Sequence, residues 1–294
     1  MTDRISRRSA LRNLTAGSAT VAAASFSHTS MADTPTLRGN INHSVCKWCY
    51  RGISLDDFCK AVKNMGITSV DLMGPNEWPT LKKHGLTCAM TNGAGMGIGR
   101  GFNDPKLHDD LVADYESLIP KVAEAGYENL ICFSGNRRDG LSEEEGIENC
   151  AKGLKRLMDS CEKHKVTLVM ELLNSKRSHK GYQCDRTPWG VELCKQIGSE
   201  RFKLLYDVFH MQIMEGDIID TIKEYAPYIA HYHTGGVPGR SDIDASQEIY
   251  YPAVMRAIVA TGFKGHVAQE FIPKNPNPPQ SLESLRKAIE ICDV

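Results

Sequence analysis

Four side chains able to hold a divalent cation occupy the same place in four apolar runs. Val166-Thr-Leu-Val-Met-Glu171, Phe202-Lys-Leu-Leu-Tyr-Asp207, Ile229-Ala-His-Tyr-His233 and His266-Val-Ala-Gln-Glu270 each read as a buried strand ending in a carboxylate or an imidazole. A single acid at a strand end commonly caps the next helix or pairs with a base. Four of them, 36, 26 and 37 positions apart, argue for one shared site. Three carboxylates and an imidazole form a hard, oxygen-rich donor set. It suits Mn²⁺ or Mg²⁺ first and Co²⁺ or Zn²⁺ second, and differs from the cysteine-rich set of a closed structural zinc site. His231 shares strand parity with His233, so both rings should face the same way. The later residue is nearer the strand end, which assigns His233 to the metal and His231 to a buried hydrogen-bonded layer.

Spacings of this size correspond to one strand plus one helix per ligand. Upstream, strands are predicted over His43 to Trp48, Ser69 to Met73, Leu86 to Thr91 and Asn129 to Phe133. Ser54 should cap a helix over Leu55–Met65, with Gly66 beyond its end. A helical stretch from Leu107 to Ala125 should be kinked or broken at Pro120. Ser142-Glu-Glu-Glu145 is a capping box opening a helix to about His164. Thr187-Pro188 predicts a threonine-capped helix start, and further helices are expected after Asp217, from Pro252 to Gly262 and from Leu282 to Ile291. Eight strands alternating with helices imply an α/β chain folded as a single-domain (β/α)₈ TIM barrel over residues 43–294. A doubly wound open sheet is the alternative, but no glycine-rich dinucleotide fingerprint follows the first strand. The glycine-dense Gly93 to Gly101 stretch reads as an active-site loop. In a barrel the strand C-termini converge on one mouth, so the four ligands can meet.

The 294 residues are 41% hydrophobic with a net charge of −1, enough for a sizeable core and without the basic footprint of a nucleic-acid binder. Ser6-Arg7-Arg8-Ser9-Ala10-Leu11 resembles a twin-arginine export signal followed by an Ala-rich stretch, with cleavage expected after Ala32 and a polar linker over 33–42. The implied location is the periplasm, with no membrane association after cleavage; the apolar stretch is too short and polar to span a bilayer. The ten cysteines are scattered and several fall in apolar runs, where a thiol acts as a small hydrophobe. Cys46-Lys-Trp-Cys49 has redox or zinc spacing but no companion motif.

The half from Glu171 to Glu270, and more weakly the chain back to residue 43, resembles the hydroxypyruvate isomerase and ketose 3-epimerase branch of the xylose isomerase-like TIM barrels. The matching features are Glu171, the Asp-x-x-His of Asp207 and His210, the His-x-His of His231 and His233, Arg240, and the Gln269-Glu270 pair. The resemblance implies one divalent metal on Glu171, Asp207, His233 and Glu270, proton exchange with substrate carbon by Glu171 and Glu270, and substrate oxygens bound by His210 and Arg240. It also implies a small sugar or keto-acid substrate and, by analogy, a homo-oligomer. The chemistry agrees: moving a carbonyl along a sugar, or inverting the carbon beside it, needs a base for a weakly acidic C–H and charge stabilisation for an enediolate.

Two departures stand out. Hydroxypyruvate isomerases have glutamine where His233 stands, and epimerases have an acid where Arg177 stands. Lys176, Arg177, His179 and Lys180 would suit a carboxylate-bearing or oxidised sugar, with His179 and Tyr182 as candidate lid residues. Trp48 and Trp78 could stack on a sugar face, but packing of the barrel is the stronger expectation for both. The competing readings are a non-catalytic sugar-binding barrel and an endonuclease-IV-like phosphodiesterase, which needs about three metals and more histidine ligands.

Overall fold

The computed structural model describes residues 36–294, and the expected signal segment lies outside them. Seven parallel strands form one sheet: β1 (Asn42–Cys46), β2 (Ser69–Asp71), β3 (Asn129–Cys132), β4 (Thr167–Glu171), β5 (Phe202–Asp207), β6 (Ile229–Thr234) and β7 (His266–Gln269), in the order β2-β1-β7-β6-β5-β4-β3. The predicted strand over Leu86 to Thr91 is reduced to isolated bridges, which link Ser69 and Met73 on one side to Leu130 on the other. Val70 N–H donates to the Thr87 carbonyl at 3.0 Å and Ile131 N–H to that of Thr91 at 3.1 Å. This segment joins the two edge strands and closes an eight-position barrel.

Around the sheet lie α1 (Leu55–Asn64), α2 (Trp78–Lys83), α3 (His108–Glu124), α4 (Glu143–Lys155), α5 (Met158–His164), α6 (Thr187–Ile197), α7 (Val208–Met214), α8 (Ile218–Tyr225), α9 (Tyr251–Ala260) and α10 (Gln280–Cys292). Ser54 caps α1 by accepting Asp57 N–H, and the Ser142/Glu145 capping box opens α4, both as expected.

Other expectations need correction. Helix α3 runs unbroken through Pro120, carried by the buried face of Leu111, Tyr115, Ile119 and Val122. The helix foreseen to His164 is divided between α4 and α5. Thr187 does not cap α6; Arg186 holds the cap position, while Thr187 donates its N–H and hydroxyl to the Glu215 carboxylate at 2.8 and 2.7 Å. Helices α2 and α7 were not foreseen.

Inside the barrel, the layer beneath the strand ends divides by polarity. Met90, Ile131, Val169 and Leu205 form a separate apolar cluster. Ser44, Asp71 and His231 form a fully buried polar network: Asp71 accepts from Ser44 Oγ at 2.6 Å and lies 2.6 Å from His231 Nε2. No helix of the described residues is long and apolar enough to cross a membrane. All ten cysteines are free and buried, and burial pushes the Cys46 and Cys49 thiols well above their usual range, which disfavours the reactive thiolate.

Candidate metal centre and active site

The four expected ligands converge. Glu171, Asp207, His233 and Glu270 each present one donor atom, all within 4.8 Å of one another, and none is more than 5% exposed.

Each is positioned by its strand end. Asp207 closes β5 and caps α7, its Oδ1 accepting Phe209 N–H at 2.8 Å and His210 N–H at 3.2 Å. That leaves Oδ2 facing the site, 2.8 Å from Arg240 Nη2. Glu270 follows β7, its Oε1 accepting Trp48 Nε1–H at 2.7 Å. Its Oε2 faces His233 Nδ1 at 2.7 Å and the Arg240 guanidinium. Glu171 ends β4, where Tyr182 Oη donates to its backbone carbonyl at 2.9 Å. Its Oε1 is buried without a hydrogen-bond partner, 3.6 Å from His233 Nδ1.

His233 is oriented from behind. Its Nε2 lies 3.4 Å from Asp71 Oδ2 and 3.8 Å from Cys46 Sγ, so Nδ1 is turned toward Glu171 and Glu270. Despite its proximity to Glu270, Nδ1 has no aligned hydrogen bond. A buried, unpartnered imidazole nitrogen among carboxylate oxygens fits a ligand atom of a divalent cation. His231 takes the buried bonding role expected of it, through Asp71, a carboxylate that sequence reasoning passed over. The available signal was an acid between Val70 and Leu72 in an otherwise apolar run.

The electrostatics point the same way. Burial pushes the Asp207 carboxyl upward against the opposing pull of Arg240. Burial works against ionisation of Glu270 too, but Arg240, His233 and Trp48 together hold it well below the usual carboxylate range. His233 is raised well above the imidazole range because Glu270, Cys46 and Asp71 outweigh its burial. Three buried carboxylates thus gather positive charge from every neighbour able to supply it. Nothing in this donor set conflicts with a bound divalent metal.

The cavity above the site is about 450 Å³ and is lined by Glu171, Glu270, Trp48, His179, Arg240 and the stretch Asn92 to Gly95. The glycine-rich loop therefore reaches the site: a Cβ on Gly93 would lie 2.2 Å from the Ile131 carbonyl, so only glycine lets it approach that strand end. Two of the four non-glycine residues with left-handed backbone among the described residues border the cavity, Leu72 (φ 60°) and Arg240 (φ 55°), a conformation that the surrounding structure must hold in place.

The residues expected to bind substrate are placed differently from one another. Arg240 and His179 line the cavity, whereas His210 is fully buried beside Asp207, its Nε2 3.5 Å from Oδ2. His210 Nδ1 accepts Asn174 N–H at 3.1 Å, which puts the ring proton on Nε2, and burial with Arg240 nearby keeps the ring neutral. Trp48 packs against the core as expected and also lines the cavity, where it holds Glu270. Trp78 does pack, edge-on to Tyr127. Tyr182 is no lid: it is fully buried, accepting Ser134 N–H at 3.1 Å while bonding Glu171.

Residues 79–289 match the family model described as xylose isomerase-like TIM barrel. The chain is 25% identical over 230 residues to the 2-oxo-tetronate isomerase of Cupriavidus necator, covering 75% of this chain and 87% of that one. It is 26% identical over 170 residues to the hydroxypyruvate isomerase of Escherichia coli, covering 58% and 65%. Among solved structures, D-psicose 3-epimerase from Clostridium cellulolyticum H10 superposes with a TM-score of 0.70 at 17% identity, covering 86% and 98%, which bears on the fold. The fold and its strand-end carboxylates define the class of isomerases and epimerases that act on sugars with a divalent metal. This chain belongs to the xylose isomerase-like TIM barrel family.

Proposed function

We propose that this enzyme moves a proton at the carbon next to a carbonyl in a small ketose or oxo sugar acid, through an enediolate, by isomerisation or epimerisation. The observation that carries the reading is that Glu171 and Glu270, two buried carboxylates of one ligand-competent cluster, open onto the same cavity.

The residues have distinct tasks. Glu171 and Glu270 take and return the carbon-bound proton. Trp48 holds Glu270 by Oε1, so its other oxygen stays turned toward His233 and Arg240. Arg240 carries positive charge to the cavity wall, where it steadies negative charge on substrate oxygen. His179 lines the cavity as a donor for a hydroxyl, and His210 contributes its Nε2–H beside Asp207. Glu171, Asp207, His233 and Glu270 would hold one divalent cation, Mn²⁺ or Mg²⁺ by donor type, which supplies Lewis-acid stabilisation of the charge developing on the substrate oxygens.

The test is solvent-deuterium exchange followed by NMR, with Mn²⁺-loaded protein and a panel of ketoses, keto-sugar acids and hydroxypyruvate. Exchange beside a carbonyl, abolished in Glu270→Gln, is the expected result. Binding without exchange across the panel would instead support a sugar-binding barrel. Export to the periplasm is part of the same proposal and rests on Arg7-Arg8. A lysine pair at those positions should leave the protein in the cytoplasm of a Tat-competent host, and unchanged export would overturn it.

A further inference from the structure

The cavity above the four ligands is not isolated. A second one, about 740 Å³, adjoins it, and Trp48 and Arg240 line both. Together they offer far more room than a three- or four-carbon acid fills. The outer cavity also differs in character. Its wall combines apolar surface from Phe209, Ile213, Pro238 and Ile272 with two cations, Lys176 and Arg177. Ile272 is 45% exposed, one of the two large apolar side chains most open to solvent among the described residues. Neither Lys176 nor Arg177 has a carboxylate partner among the described residues. The one acid on the wall, Glu248, is engaged by Gln212 Nε2 at 3.3 Å.

The cations are carried on a fixed loop. Asn174, fully buried, accepts Arg177 N–H at 3.0 Å and Ser178 N–H at 2.9 Å, and donates to His210. Ser175 is tied to the buried Asp185. The backbone under Lys176 and Arg177 is thus anchored to the residues that frame the metal centre, and positive charge is presented beside Trp48 without a partner to neutralise it. Arg240 divides the two cavities, its guanidinium 5.5 Å from the Trp48 ring and 5.2 Å from that of Phe209. A ligand that passes this divider would meet aromatic and apolar surface and the two cations on one cavity wall.

We infer that the outer cavity is a second substrate subsite, and that the substrate is an anionic sugar longer than one ring. Its carbonyl-bearing unit occupies the inner cavity, and a second, carboxylate-bearing unit lies on the apolar wall against Lys176 and Arg177. The assignment rests on the proposed function for the inner cavity and adds the size and charge of the substrate.

Calorimetric titration of the Mn²⁺-loaded full-length protein tests it, with lactobionate as the acidic two-unit probe, lactulose as the neutral one, and gluconate and fructose as one-unit controls. Lactobionate should bind about five- to tenfold more tightly than lactulose and more tightly than gluconate, with the advantage shrinking as salt is raised. Lys176→Ala/Arg177→Ala should remove that advantage and leave fructose binding unchanged; both side chains are exposed, so the fold is not at stake. Arg177→Glu should reverse the preference. Equal affinity for lactobionate and lactulose, or an advantage that survives the double substitution, overturns the subsite and leaves these cations as a solvated loop. Solvent-deuterium exchange on one-unit ketoses by the wild-type protein reports separately on the inner cavity. Its absence, with the lactobionate preference intact, counts against the proposed chemistry and not against the subsite.

Discussion

Asp71 does not line the cavity, yet it governs what His233 offers there. It lies 2.6 Å from His231 Nε2 and 3.4 Å from His233 Nε2, and holding that edge of His233 leaves Nδ1 for the ligand cluster. A carboxylate behind a ligating imidazole fixes the ring and its tautomer, and removing one typically costs about 10- to 100-fold in metal affinity. Asp71→Asn should therefore weaken Mn²⁺ binding by about that factor in calorimetric titration while circular dichroism stays unchanged; unaltered affinity would show that His233 needs no such support. Glu171, Asp207, His233 and Glu270 were legible because each ends an apolar run, a local pattern. Asp71 was not, because its decisive partners, Ser44 on the paired strand β1 and His231 on β6, are remote in sequence, and only barrel closure brings His231 to it. His210 shows the same limit: the Asp-x-x-His spacing exposes the pair but not that the cap of α7 draws the ring inward beside Asp207.

At the scale of elements, strand positions were readable from period and punctuation, while helix boundaries yielded to tertiary burial. Pro120 costs α3 a hydrogen bond, but the buried apolar face of that helix is long enough to carry it past the defect. The third strand survives as bridges only, a distinction that residue pattern does not encode. Tyr182 illustrates how an element end is fixed. Its hydroxyl donates to the Glu171 carbonyl and accepts Ser134 N–H, tying β4 to the segment after β3. Tyr182→Phe leaves two buried backbone groups unpartnered and should destabilise the protein by about 1–3 kcal/mol in chemical denaturation. A cost near zero would mean that the Glu171 strand end is held by packing alone. Because Glu171 is displaced with its strand end, proton exchange should fall as well.

For the whole molecule, acid stability follows from two rings at the starts of β1 and β7, His43 buried and His266 half-buried. Burial holds His43 below its usual range, with Asp293 at 3.5 Å opposing, and burial likewise lowers His266. Folding thus disfavours the charged form of both rings, whereas the unfolded chain takes up protons below about pH 6.5. A depressed folded value means stability fully present above that pH and lost as pH falls through it, so denaturation midpoints should decline between about pH 7 and 5. His43→Gln should flatten the decline; an unchanged slope would remove His43 as its source and leave it to His266. The alternation that closes the barrel was visible along the chain, and so was the expectation that its strand ends converge, since that is a property of the topology. What the alternation could not convey is the second cavity, which depends on how the loops after β4, β6 and β7 stand over one another.

The central claim is that one divalent metal and two carboxylates move a proton at carbon, and it is tested most directly by titrating metal into stripped protein while recording solvent-deuterium exchange into a reactive ketose or oxo sugar acid. The account predicts no exchange without metal and a rise that breaks at one equivalent of Mn²⁺, with Glu171→Gln and Glu270→Gln lowering the plateau by about 10²- to 10⁴-fold. Full exchange by metal-free protein, or a break near three equivalents, would contradict it.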